Sequence, residues 1–221
     1  GSGANYAVIS FSTMIGAAQG GLGVYSSSSA IVTQSFMQGG GYGVFLELDA
    51  DYTAISFSTM ISNSADSVAL YINKTSSSGI LNSYVQGSTA AFLSGSTGTT
   101  IGGSWLVATN TTGNALWLFN GNINMTLTSS TFRGGPLGAA ILISSGNSGF
   151  IAMTSNTITG GSVGVSIATM TCGPCDGNLS ITSMTFSGGL SAGATAIHFV
   201  GGTFTSTFTT VLFNDPEIDV N

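Results

Sequence analysis

The segment Val8-Ile-Ser-Phe-Ser-Thr-Met-Ile15 returns as Ala54-Ile-Ser-Phe-Ser-Thr-Met-Ile61, with Ile31-Val-Thr-Gln-Ser-Phe-Met-Gln38 midway between them. Self-similarity at a period of roughly 20 to 50 residues marks a repeat architecture. With the small polar residue as anchor, the series runs Ser12, Ser35, Ser58, Ser83, Ser104, Ser130 and Asn156, with Met184 as the one departure. The steps are 23, 23, 25, 21, 26, 26 and 28 residues. Three residues before each anchor stand Ile9, Val32, Ile55, Ile80, Ile101, Leu127, Met153 and Ile181. Two residues after each stand Met14, Met37, Met60, Val85, Leu106, Phe132, Ile158 and Phe186. Every one of these positions is apolar in a chain that is 43% hydrophobic, a regularity that composition alone does not produce.

A glycine-rich turn follows in most repeats, at Gly20-Gly21, Gly39-Gly40-Gly41, Gly134-Gly135, Gly160-Gly161 and Gly188-Gly189. Glycine supplies the positive φ that tight corners require. A second alternating stretch comes next: Val44, Leu46 and Leu48, then Val68, Leu70 and Ile72, then Ala139, Ile141 and Ile143, then Val163, Val165 and Ile167. Alternation with a period of two predicts strands buried on one face. A variable repeat with constant internal spacing predicts an all-β solenoid, one coil of 21–28 residues per repeat, about eight to nine coils over 1–221. Like residues then stack about 4.8 Å apart, the apolar columns fill the bore, and the Ser/Asn anchors form a hydrogen-bonding ladder at a corner. No charged or helical cap is visible at either end, so the chain reads as one solenoid domain taken from a longer array.

Only 5% of the 221 residues are charged, the net charge is −6, and the only lysine and arginine are Lys74 and Arg133. Nucleic-acid binding depends on clustered cations, so it is excluded as a partner class. No apolar run of about 18 residues predicts a membrane-spanning helix. No leader sequence is recognisable, and any secretory leader is expected to be gone already.

Met-Thr-Ser-Asn-Thr-Ile-Thr-Gly-Gly (153–161) and Ile-Thr-Ser-Met-Thr-Phe-Ser-Gly-Gly (181–189) resemble the repeat of right-handed parallel β-helix proteins. That superfamily includes pectate-lyase-like enzymes, periplasmic copper-maturation proteins, tailspikes and large bacterial surface repeat proteins. The resemblance covers residues 7 to 213 and implies a right-handed parallel β-helix. The family is defined by its scaffold, so the likeness leaves function open. The low-charge, Ser/Thr-rich style is similar to the surface repeat proteins.

Candidate chemistry is sparse. Glu47, Asp49 and Asp51 alternate along one strand. With Leu46 and Leu48 inward, Glu47 and Asp49 are expected to point outward about 7 Å apart. The reading is a solvated acidic edge, with calcium binding or paired-carboxylate catalysis as alternatives. His198, between Ile197 and Phe199, is expected on the surface, as are Lys74 and Arg133. Cys172-Gly-Pro-Cys175 is read as a local disulfide or a free pair in a loop, since nothing around it resembles a redox βαβ unit. Asp215, Glu217 and Asp219 read as an acidic strand that discourages edge pairing. No cofactor is implied, and no metal site is expected.

The outward positions of the second alternating strand are expected to be Tyr25, Phe45, Tyr71, Leu93, Trp117, Leu142, Ser166 and His198. An exposed aromatic stripe of this kind marks an interaction surface, here for a polysaccharide or for other copies of the chain. A second outward column is expected at Thr13, Phe36, Thr59, Tyr84, Trp105, Thr131, Thr157 and Thr185. It lacks the paired threonine rows of an ice-binding surface. No cluster of acids or cations on adjacent coils marks a catalytic centre. The expectation from sequence is therefore a non-catalytic structural or adhesive segment of an extracellular surface protein. A carbohydrate-active β-helix of lyase or hydrolase type is the alternative.

Overall fold

A computed structural model describes residues 6–168, 178–200 and 205–213. The described secondary structure is strand throughout, and every described strand pairing is parallel. Each early coil has three strands, as in Val8–Ser10, Thr13–Gly16 and Gly20–Tyr25, followed by Ile31–Thr33, Phe36–Gly39 and Tyr42–Glu47. The first strands of successive coils form one nine-stranded sheet. The second and third strands form a single path, because in the coil at Thr157–Ile167 they merge into one continuous strand. The chain is thus a parallel β-solenoid.

The register is the one the anchors predict. Ile9, Val32, Ile55, Ile80, Ile101, Leu127, Met153 and Ile181 pair in a single column. So do Met14, Met37, Met60, Val85, Leu106, Phe132, Ile158 and Phe186. From the second coil upward these side chains are fully buried; Ile9 and Met14 are partly buried against the same core.

The residue before each anchor turns the corner in the left-handed region: Phe11, Gln34, Phe57, Asn82, Gly103, Ser129, Ser155 and Ser183 all have φ between 47° and 59°. L-residues visit that region rarely. Stacking favours it here, because the N–H of each corner residue then donates to a carbonyl one coil on, as in Gln34 to Thr33's counterpart Ser56 (3.1 Å) and Asn82 to Gly102 (2.8 Å). The glycine-rich turns follow a different rule from the one expected. Gly39, Gly40 and Gly41 do not have positive φ. They are glycine because strands approach too closely for a side chain: a Cβ on Gly39 would lie 2.0 Å from the Tyr42 carbonyl oxygen, and one on Gly43 2.7 Å from Ile61 N. Among the described glycines of the predicted turns, Gly160 and Gly161 alone have positive φ, at 72° and 106°, and they lie within the continuous strand Thr157–Ile167.

The anchor column is a hydrogen-bonded ladder. The backbone N–H groups of Ser12, Ser35, Ser58, Ser83 and Ser104 donate to the hydroxyl of the next anchor at 3.1–3.2 Å, and Ser130 N–H donates to Asn156 Oδ1 at 3.0 Å. Each hydroxyl in turn donates to the carbonyl two residues back, as Ser58 does to Ser56 at 2.7 Å. Met184, fully buried, continues the column with apolar packing. A second ladder lies after the third strands. There Ser96 N–H donates to Asn122 Oδ1 (3.2 Å), and Asn122 N–H and Nδ2 both donate to Asn147 Oδ1 (3.0 and 2.9 Å). These two ladders satisfy buried polar groups where the strands bend, as burial demands.

Candidate functional site

The third strand begins with a departure from strict alternation. Gly43 and Val44, Ala69 and Leu70, and Ala90 and Ala91 are consecutive buried pairs, and the next residue faces outward. Counting two residues on from the small members of this column, Gly43, Ala69, Ala90, Ala115 and Ala140, gives Phe45, Tyr71, Phe92, Trp117 and Leu142. The pairings place these in one column, continued by Ser166 and His198 and preceded by Gly23.

The expected stripe therefore exists, with two corrections. Phe92, rather than Leu93, faces out; Leu93 is fully buried. In the run Ala90-Ala91-Phe92-Leu93 every residue is apolar, so periodicity alone carries no phase. Tyr25 stands one row over, opposite Glu47, and Gly23 holds its expected place. The Tyr25 ring lies across that glycine, within 2.9 Å of where a Cβ would be, and its centroid is 4.9 Å from that of Phe45. The absent side chain is thus replaced by a ring from two residues on.

From Tyr25 the rings run without a break. Phe45 and Tyr71 stack at 5.2 Å, Tyr71 and Phe92 at 5.3 Å with planes 5° apart. Trp117 turns edge-on to Phe92 at 5.1 Å, and its Nε1–H donates to Ser144 Oγ at 2.8 Å, which fixes that orientation. Sequence reasoning missed two further members: Tyr42, packed against both Phe45 and Tyr71, and Phe119, packed against Phe92 and Trp117. The rings along the column are half-buried, so their remaining area is an apolar surface presented to solvent. At the Tyr25 end a concavity of about 480 Å³ opens beside Gln19, Gly20, Tyr25, Tyr42 and Phe45.

A polar row flanks the rings: Tyr25, Glu47, Asn73 and Ser94 stack in register. Asn73 Nδ2 donates to Glu47 Oε1 at 2.9 Å, which positions the carboxylate. The Tyr71 phenol is pushed up from its ordinary pKa of 10.0, first by burial, then by the Glu47 charge and by Tyr42. Tyr71 thus stays a hydrogen-bond donor throughout the neutral range. The arrangement combines aromatic planes for C–H contact, phenol donors and one positioned carboxylate.

The three acids do not share one face. The strand ends at Glu47, and Leu48 and Asp49 follow with φ of 52° and 64°. Leu48 is consequently exposed, not inward, and Asp49 lies in the turn rather than beside Glu47 on a strand. Asp51 is used structurally: its Oδ1 accepts the Ser76 N–H of the next coil at 2.5 Å. Among the described residues no three His, Cys, Asp or Glu side chains come together as a metal site. Lys74 is exposed in the turn after Asn73, and its carbonyl accepts the Asp49 N–H at 3.1 Å. Arg133 is exposed in a different column, between Val107 and Thr159. His198 is exposed at the far end of the aromatic column. Cys172, Cys175, Asp215, Glu217 and Asp219 lie outside the described residues. The second outward column, Thr13 to Thr185, has the expected register, interrupted by Phe36, Tyr84 and Trp105.

No family model matches the chain, and no curated protein matches it. Solved structures do. The periplasmic alginate epimerase AlgG superposes with a TM-score of 0.64 at 13% identity, over 86% of this chain and 46% of that one. The A-module of the Azotobacter vinelandii mannuronan C-5 epimerase AlgE4 gives 0.60 at 14%, over 90% and 62%. The enzymatically active domain of bacteriophage CBA120 tailspike protein 2 gives 0.55 at 14%, over 98% and 40%. The chain therefore spans from 40% to 62% of the length of these structures. The expectation of a non-catalytic structural or adhesive segment is corrected by these neighbours, which are enzymes of polysaccharides or carry an enzymatically active domain. By its register and by this likeness the chain is a parallel β-helix, the fold these proteins share.

Proposed function

We propose that this chain belongs to a carbohydrate-active β-helix protein working outside the cytoplasm, with the aromatic column as its polysaccharide-binding face. Glu47 is the proposed acid–base group at the edge of that face. The observation that carries the reading is the unbroken series of rings from Tyr25 to Trp117, flanked by a carboxylate that Asn73 holds in place. Apolar C–H faces of sugars pack on such rings, while phenol and amide groups bond the hydroxyls; a few convergent polar groups on an apolar surface is the usual composition of a ligand site. A column that repeats coil by coil suits a polymer that repeats residue by residue. A carboxylate within reach of bound sugar is a suitable proton donor or acceptor for glycosidic chemistry.

The test is incubation of the protein with a panel of insoluble neutral and acidic polysaccharides, scoring co-sedimentation and release of soluble sugar ends in the same tubes. Retention on at least one polymer with release of ends is expected. Failure to bind any polymer overturns the reading, and binding without any product removes the enzymatic part of it.

A further inference from the structure

We infer that the polymer on the aromatic face is an uncharged glycan, cleaved by hydrolysis, and not a polyuronate. This rests on the reading of that face as the polysaccharide site. Glu47 lies in the row beside the rings, and Asp49 and Asp51 lie in the turn that follows. Against these three carboxylates stands one ammonium, Lys74, in the stacked turn of the next coil. The only other Lys or Arg in the sequence, Arg133, belongs to a different strand column. His198 shares the aromatic column but stands three coils beyond Trp117.

A polyuronate laid along this column brings one carboxylate per sugar. Each would lose water against ring faces, whose quadrupole is negative, without gaining a cation. Each would also meet the field of Glu47, a like-charge juxtaposition that selects against such a partner. An uncharged sugar meets none of these penalties and uses the same C–H faces and hydroxyls.

The chemistry follows the same division. Proton abstraction next to a uronate carboxylate, the first step of elimination or epimerisation, builds negative charge that needs a cation or a dense set of donors. The face offers a carboxylate instead. Hydrolysis instead develops positive charge at the anomeric carbon, which a carboxylate stabilises: water adds across the glycosidic C–O bond, its hydroxyl to the anomeric carbon and a proton to the leaving oxygen. The ionised Glu47 accepts the proton that the attacking water gives up, a proton from solvent goes to the leaving oxygen, and nothing is oxidised or reduced.

The test compares binding to matched polymer pairs that differ in charge: hydroxyethylcellulose with carboxymethylcellulose, propylene-glycol alginate with alginate, and fully methyl-esterified pectin with pectate. Retardation in affinity electrophoresis is the readout, at low and high salt. In any pair that binds, the uncharged member is expected to bind at least about tenfold more tightly at low salt, with the gap narrowing as salt screens the repulsion. Reducing ends should appear without unsaturated ends. Equal or tighter binding of the acidic member, or unsaturated products, overturns the inference while leaving the face as a polysaccharide site. Binding to neither member of any pair overturns both.

Discussion

Glu47→Gln is expected to lower release of sugar ends by about 100-fold or more, the usual contribution of a positioned acid–base group, while retention on the polymer is unchanged. Glutamine keeps the length and shape of the side chain and an oxygen for Asn73 Nδ2, which now bonds Glu47 Oε1 at 2.9 Å. What it removes is the proton-carrying carboxylate. A purely structural role for Glu47 predicts the opposite split, with binding and stability changed and turnover per bound polymer unchanged. A second readout needs no substrate. The Glu47 charge is the second cause of the raised Tyr71 pKa, after burial, so the variant's Tyr71 should titrate at lower pH than in the parent, yet still above the ordinary 10.0 of a free phenol, because burial remains. An unchanged Tyr71 titration would contradict the placement of Glu47 beside it.

Asn122→Ala is expected to destabilise the rod by about 1 to 3 kcal/mol, the cost of one buried group left without a partner. Asn122 is fully buried and bonds three coils together. Its Oδ1 accepts Ser96 N–H at 3.2 Å, and its Nδ2 donates to the Leu93 carbonyl and to Asn147 Oδ1, both at 2.9 Å. Alanine leaves the Ser96 N–H buried and unpaired, while the Leu93 carbonyl keeps the Phe119 N–H at 2.8 Å and Asn147 Oδ1 keeps the Asn122 N–H at 3.0 Å. Ser35→Ala, in the serine ladder, removes a hydroxyl that accepts Ser12 N–H and donates to the Thr33 carbonyl near the exposed first coil, where water can replace it. Urea denaturation of both variants should show the larger loss of midpoint for Asn122. Equal shifts would mean that the asparagine ladder is no more than a turn filler.

How much of this is legible in the sequence depends on which constraint each residue obeys. The stacked apolar columns from Ile9 to Ile181 and from Met14 to Phe186 are readable because each position must be apolar in every coil, and the fixed spacing to a serine gives the register. The asparagine ladder is invisible at that level. Ser96, Asn122 and Asn147 sit where loop lengths vary between coils, so no constant spacing exposes them. The face was readable in outline and misphased in two places. Leu93 and Phe92 are both apolar, and only the buried alanine two residues before Phe92 fixes which of them is outward. Tyr25 stands one row over by its backbone, opposite Glu47, and only its ring, folded across Gly23, reaches the column. Alternation places Leu48 inward, but the strand ends at Glu47 and the left-handed turn begins with Leu48. The acidic triad dissolves for the same reason. The sequence points to a non-catalytic segment because charges do not cluster on adjacent coils; the proposed face is instead made of rings and a single positioned carboxylate.

The most direct test of the aromatic face as the polymer's site is co-sedimentation of the parent and the Tyr71→Ala/Trp117→Ala double variant with whichever uncharged polysaccharide the parent binds, after circular dichroism has shown the strand content of both to be the same. Tyr71 stacks on Phe45 and Phe92, and Trp117 closes the series, so removing both interrupts the surface at two coils. Affinity weaker by about 30-fold or more is expected, equivalent to about 2 kcal/mol for the loss of aromatic anchors. Binding at parental affinity by the folded double variant would show that the polymer lies elsewhere on the solenoid.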